Sequence, residues 1–304
     1  MKNFIIGNGF DMKHGLPTSY WDFRSYLEYL YPQFLYSFEE HYSIYPRTGE
    51  QAKRELLWNQ LETNLANIDD VSIIENALHM DLGLESGDIG IYDTLHTYFR
   101  DEYKYINELA RYLKQWVRTI KIKGVPPKTT FINKSDDAIY ITFNYTAVLE
   151  TVYGINPGKI THIHGSLRDA DGLPVLGHGN QPKIDDIHEM RQEAERDFDE
   201  KGMSIYRVLG DYYNRTFKDI NLYKPKLQRL KGKPIDEIIV IGHSVAGVDL
   251  PYFEHIDTLT MHKAKWKVHY FRDWEKQLMN DSLIECGIQP ERIEIRHADD
   301  FYNL

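Results

Sequence analysis

Asn144, His162, His164, His243 and Ser244 each close a short apolar run, and each carries a group able to orient or move a proton. His164 stands beside Gly165 and Ser166, and an imidazole titrating near neutrality suits a general base. The side chain of Asn144 both donates and accepts, which fits it to a ribose hydroxyl or a water. The competing reading makes Asn144 the cap of a helix that starts near Thr146. His162 and His164 alternate around Ile163, so on a strand both point to one face. In that reading His162 supports the sheet or orients its neighbour. A metal pair completed by His178 or His243 is disfavoured, because no carboxylate sits at a recognisable ligand spacing. Ser244 can donate to a phosphate or ribose, or cap a helix. The run Gly242-His243-Ser244-Val245-Ala246 departs from a hydrolase nucleophile elbow, which needs glycine where Ala246 stands.

A second kind of chemistry is written into the start of the chain. The apolar run Phe4–Ile6 opens into Gly7-Asn8-Gly9-Phe10-Asp11. Two residues without Cβ let a backbone turn tightly and present N–H groups to an anion such as a phosphate. Asp11 beside them either stabilises a positive charge or begins a helix. Gly177-His178-Gly179 is a further glycine-flanked turn, as suited to a simple connection as to a pocket wall.

These groups need a scaffold that brings strand ends together. Strand-like runs recur at 138–143, 159–164, 237–241, 267–270 and 294–297, with helical segments near 146–153, 249–262 and 273–286. Short apolar strands alternating with helices predict a parallel α/β sheet covered on both faces. Ligands of such sheets bind outside the carboxyl ends of the strands, which is where the loops above fall. The first strand begins at the third residue, so no domain is expected before it. Ser19 with Asp22 three residues on predicts a helix start. Tyr92, Leu95, Phe99, Tyr103, Ile106, Leu109, Leu113, Trp116 and Ile120 keep a helical stripe, stopped by Pro126-Pro127. The expectation is a single α/β domain over 1–304, with a helical module inserted at 35–125 and a charged helical excursion at 185–225.

Bulk properties exclude several classes. With 36 Lys and Arg against 46 Asp and Glu, the net charge is −10, so no direct binding of nucleic acid is expected. Cys286 is the single cysteine, which rules out an internal disulfide or a multi-cysteine zinc site. No apolar run is long enough to cross a membrane, and a cytoplasmic protein is expected.

Taken as an ordered set, Gly7-Asn-Gly-Phe-Asp11, Gly15-Leu-Pro17 with Asp22-Phe23, Phe143-Asn-Tyr145, His162-Ile-His-Gly-Ser166 and Gly242-His-Ser244 with Asp249-Leu-Pro251 resemble the AbiH family. That family is associated with bacterial abortive infection, a phage-defence strategy. The order of the loops is also distantly similar to the sirtuin fold, a Rossmann-like sheet that binds NAD. That resemblance implies an NAD-type nucleotide held by Gly7, Asn8, Gly9, Phe10, Asp11, Gly165, Ser166, Gly242, His243 and Ser244. It implies catalytic roles for Asn144 and His164. Thr146 stands where sirtuins carry an aspartate, and the four-cysteine zinc module is missing, so deacetylation is excluded. Two expectations remain open: an NAD glycohydrolase without a metal, or a non-catalytic nucleotide sensor acting through a partner or a homo-oligomer.

Overall fold

The computed structural model describes residues 1–71, 74–75, 105–134, 137–167 and 172–304. The chain divides into two compact units. The first comprises Met1–Asp22, Leu113–Val175 and Asp219–Leu304, and the second Phe23–Tyr112 and Leu176–Lys218.

The first unit is built on six parallel strands: β1 (Lys2–Ile6), β2 (Ile139–Thr142), β3 (Ile160–His162), β4 (Glu237–Ile241), β5 (Lys265–Tyr270) and β6 (Ile293–His297). Their spatial order is β3-β2-β1-β4-β5-β6. This is the doubly wound order, in which the chain switches direction across the sheet between β1 and β4. The register places Ile5 against Ile141 on one side and Val240 on the other, with Val268 and Ile295 continuing the row.

Both faces of the central strands are apolar, as a sheet covered on two sides requires. Ile5, Ile141, Val240 and Val268 pack with Tyr252, Phe253 and Ile256 of the helix Leu250–Leu259, and with Met279 and Leu283 of the helix Asp273–Glu285. On the other face Phe4 stacks on Tyr140 and meets Phe131 edge-on, and Phe131 meets Phe301 of the helix Ala298–Tyr302. The helix Tyr20–Leu30 starts as its sequence predicts. The amide of Asp22 donates to Ser19 Oγ at 3.1 Å, and the amide of Ser19 donates back to Asp22 Oδ2 at 3.0 Å.

The second unit is helical among its described residues. Glu39, buried within the helix Pro32–Glu40, accepts from Arg24 Nε at 2.6 Å and from Trp58 Nε1 at 2.8 Å. The excursion expected at 185–225 consists of two helices, Gln181–Arg196 and Glu200–Thr216, that pack on each other, followed by short 3₁₀ turns. Buried Lys218 pairs with Glu62. The expected stripe is helical over Tyr105–Thr119, with Leu109, Leu113, Trp116 and Ile120 buried. Tyr92, Leu95, Phe99, Tyr103 and the side chain of Ile106 lie outside the described residues.

Candidate active site

Four loops leave the carboxyl ends of β1, β2, β3 and β4 in the first unit, and they carry most of the residues singled out above. The loops after β1 and β4 are locked together through their backbones. The amide of Gly7 donates to Ile241 O at 3.0 Å, and that of Gly9 to Gly242 O at 2.8 Å. A Cβ at Gly7 would lie 2.5 Å from Gly242 O, and one at Gly242 (φ +72°) 2.2 Å from the amide nitrogen of Phe10. The amide of Phe10 turns back to Gly7 O at 3.0 Å.

The amides of Gly7, Gly9 and Phe10 therefore bond to backbone carbonyls. The glycines let the two loops touch. Phe10 is wholly buried between His14, Tyr153, Phe301 and Tyr302 and belongs to the core. Exposed Asn8 ties the loop to Thr18 O through Nδ2 at 2.7 Å.

Asp11 and Asn144 form the centre of a buried polar cluster. Asp11 is 1% exposed, and its Oδ2 accepts from the Thr146 hydroxyl. Burial pushes its carboxyl up to about 7, although Thr146, Asn144 and the charge of His162 favour the anion. Asn144 does not cap a helix. The next helix is Val148–Thr151 with Ala147 at its N-cap, while Asn144 Nδ2 donates to Gly7 O at 3.1 Å. Asp11 Oδ1 and Asn144 Oδ1 are both buried and meet no hydrogen-bond donor among the described residues. His162 holds the cluster from behind, with Nδ1 3.0 Å from Asn144 O and Nε2 3.0 Å from Glu150 Oε1.

The two histidines do not share a face. β3 ends at His162 and the chain turns at Ile163, so the twofold alternation stops before His164. His164 instead lies against Phe143 and Tyr252, with Nε2 3.4 Å from Asp249 Oδ1. His243 Nε2 is 3.3 Å from the other oxygen of the same carboxylate. The amide of Val245 donates to His243 Nδ1 at 2.9 Å, so Nε2 carries the proton of the neutral ring and points it at Asp249. Phe143 touches both histidine rings, so Phe143 and Asn144 face the two clusters in turn. Gly165 and buried Ser166 continue the β3 loop. Ser244 is exposed and caps nothing, since Asp249 is at the N-cap of the helix Leu250–Leu259.

Three partners escaped the sequence reading. Glu150 and Asp249 stand behind the histidines, and Lys226 Nζ donates to His162 O and Ile163 O at 3.2 and 2.7 Å. Asp249 had a signal in the Asp249-Leu-Pro251 motif; Glu150 and Lys226 had none. His178 is in the second unit, fully buried, where its backbone bridges Phe217. Burial lowers its ring pKa to about 4, so it is neutral. Among the described residues no three His, Cys, Asp or Glu side chains converge as a metal site, and no helix is long and apolar enough to cross a membrane.

A six-stranded parallel sheet in doubly wound order, with its polar clusters at the carboxyl edge, defines a Rossmann-like α/β protein. Within that class the chain belongs to the bacteriophage abortive infection AbiH family, whose model matches residues 4–270. No curated protein matches the chain significantly.

Proposed function

We propose that this AbiH-family protein binds NAD at the carboxyl edge of its sheet and hydrolyses the nicotinamide N-glycosidic bond as the toxic step of abortive infection. The observation that carries the reading is the meeting of the β1 and β4 loops at the switch point, beside a buried cluster containing Asn144. Switch-point crevices are where open α/β sheets take nucleotides. The distant resemblance of the loop order to sirtuins is what suggests NAD. Asn144 positions the ribose or the attacking water, and His164, backed by Asp249, takes part in catalysis from the same edge. The work is expected in the cytoplasm, where NAD is consumed without a metal or a nucleic acid.

A second reading has its own support. With the amides of Gly7, Gly9 and Phe10 taken up by backbone carbonyls, the first loop offers few donors to a pyrophosphate. A site that senses a nucleotide and passes the signal to a partner or a second copy needs fewer of them. The experiment is to infect cells carrying the wild type, Asn144→Ala or His164→Ala and follow NAD content after phage addition. The hydrolase reading expects NAD to collapse in the wild type alone. Protection with NAD intact favours the sensor.

A further inference from the structure

We infer that Asp11, rather than His164, is the proton acceptor that activates the attacking water, with Asn144 as its partner in holding that water. The inference rests on the hydrolase reading and deepens it.

The geometry argues through unmet acceptors. Asp11 and Asn144 are 1% and 6% exposed, and their side chains lie against each other. Each has one carbonyl-type oxygen buried with no donor among the described residues. A buried acceptor left in this way is destabilising unless a donor reaches it. Both sit at the end of the sheet where a ligand is expected. The two O–H groups of a single water match two such oxygens. Thr146 donates to Asp11 Oδ2, and Asn144 Nδ2 donates to Gly7 O while its side chain also favours the Asp11 anion. His164 Nε2 has a carboxylate beside it, 3.4 Å away at Asp249 Oδ1.

The surroundings suit a carboxyl that changes protonation state. The charged and titratable groups felt by Asp11 are His162 and Glu150, and Tyr302 feels the Asp11 charge. His162 is itself engaged by Glu150, and no lysine or arginine acts on Asp11 among these groups. Burial without a dedicated cation brings its titration close to neutrality, where a base is most effective.

The step balances simply. One O–H bond of water breaks and the proton passes to Asp11 Oδ1. The water oxygen forms the bond to the anomeric carbon as the bond to nicotinamide breaks. The electron pair of that bond leaves with the ring nitrogen, so nicotinamide departs neutral and needs no acid. Asp11 then returns the proton to solvent.

The test uses the full-length protein, with NAD affinity by calorimetry and nicotinamide release across pH for the wild type, Asp11→Asn and Thr146→Val. Asp11→Asn is expected to bind NAD and lose release by at least about 100-fold. Thr146→Val removes a donor that favours the carboxylate, so the acid limb of its rate profile is expected to move to higher pH. Release by Asp11→Asn at the wild-type rate, or an unmoved limb in Thr146→Val, overturns the assignment and leaves the hydrolase reading standing. If Asp11→Asn fails to fold, the limb of Thr146→Val decides. Absence of release from the wild type overturns both.

Discussion

The amide of Gly9 donates to the carbonyl of Gly242 at 2.8 Å, joining the loops after β1 and β4 backbone to backbone. No side chain fits between them. The switch point of this sheet is therefore a packed seam, and the groups able to meet a ligand flank it as Asp11 and Asn144 on one side and His164 and His243 on the other.

Gly242→Ala is expected to be severely destabilising. It would force φ +72° on a residue with a Cβ and set that atom 2.2 Å from the amide nitrogen of Phe10. Left-handed strain and overpacking together are worth about 3 kcal/mol. Gly15→Ala is the control, because Gly15 has φ +76° with nothing within 4 Å of its Cβ position. It is expected to cost only about 1–2 kcal/mol. Urea unfolding of the two variants checks the contrast, and equal losses would show that the seam is not tightly packed.

Stability should carry the signature of Asp11. Its folded pKa is raised from 3.8 to about 7, so the folded state binds more protons between those values. Its contribution is fully present below the unfolded pKa and is lost as pH rises through the folded one. Asp11→Asn removes this dependence. Relative to the wild type it is expected to gain about 2–4 kcal/mol between acid and mildly alkaline conditions. Denaturation of both proteins at several pH values measures the difference, and a constant gap would mean that Asp11 does not titrate there.

Asp257 shows the opposite electrostatic design. It is 1% exposed, and burial alone would push its carboxyl up. Hydrogen bonds from Arg292, Trp266 and His262 outweigh that and hold it below its ordinary value. Arg292 reaches both carboxylate oxygens, at 2.8 and 2.7 Å. Arg292→Ala leaves a buried anion short of its main counter-charge and is expected to cost about 3–5 kcal/mol. Because Asp257 is depressed, its stabilisation is lost as pH falls through the folded pKa. The variant's deficit should therefore shrink in acid, which thermal melts at two pH values can read.

Much of the sheet was legible because buried parallel strands are apolar throughout. The run expected at 237–241 is β4, and the one at 138–143 is β2 with one residue less at each end. β5 begins two residues earlier than expected, since Lys265-Trp266-Lys267 alternates instead of running apolar. The run at 159–164 was read too long. Ile163 is buried whether it extends a strand or enters a turn, so hydrophobicity gives no sign that β3 stops at His162. The candidate site was legible as a set of loops but not as a network. Nothing local to Asp11 says that Thr146, 135 positions away, will donate to it. Nothing local to Gly7 says that its amide meets Ile241. Those pairings come from the strand order, which a single sequence does not display.

NAD binding and cleavage at the carboxyl edge of this sheet, as proposed, can be measured on the protein itself. The most direct measurement follows nicotinamide released from NAD by the purified full-length chain, with Asn144→Ala alongside. Release is expected from the wild type and its loss in the variant, whose replaced side chain no longer reaches Gly7 O. Stoichiometric NAD binding with no nicotinamide formed would contradict it and identify the site as a sensor.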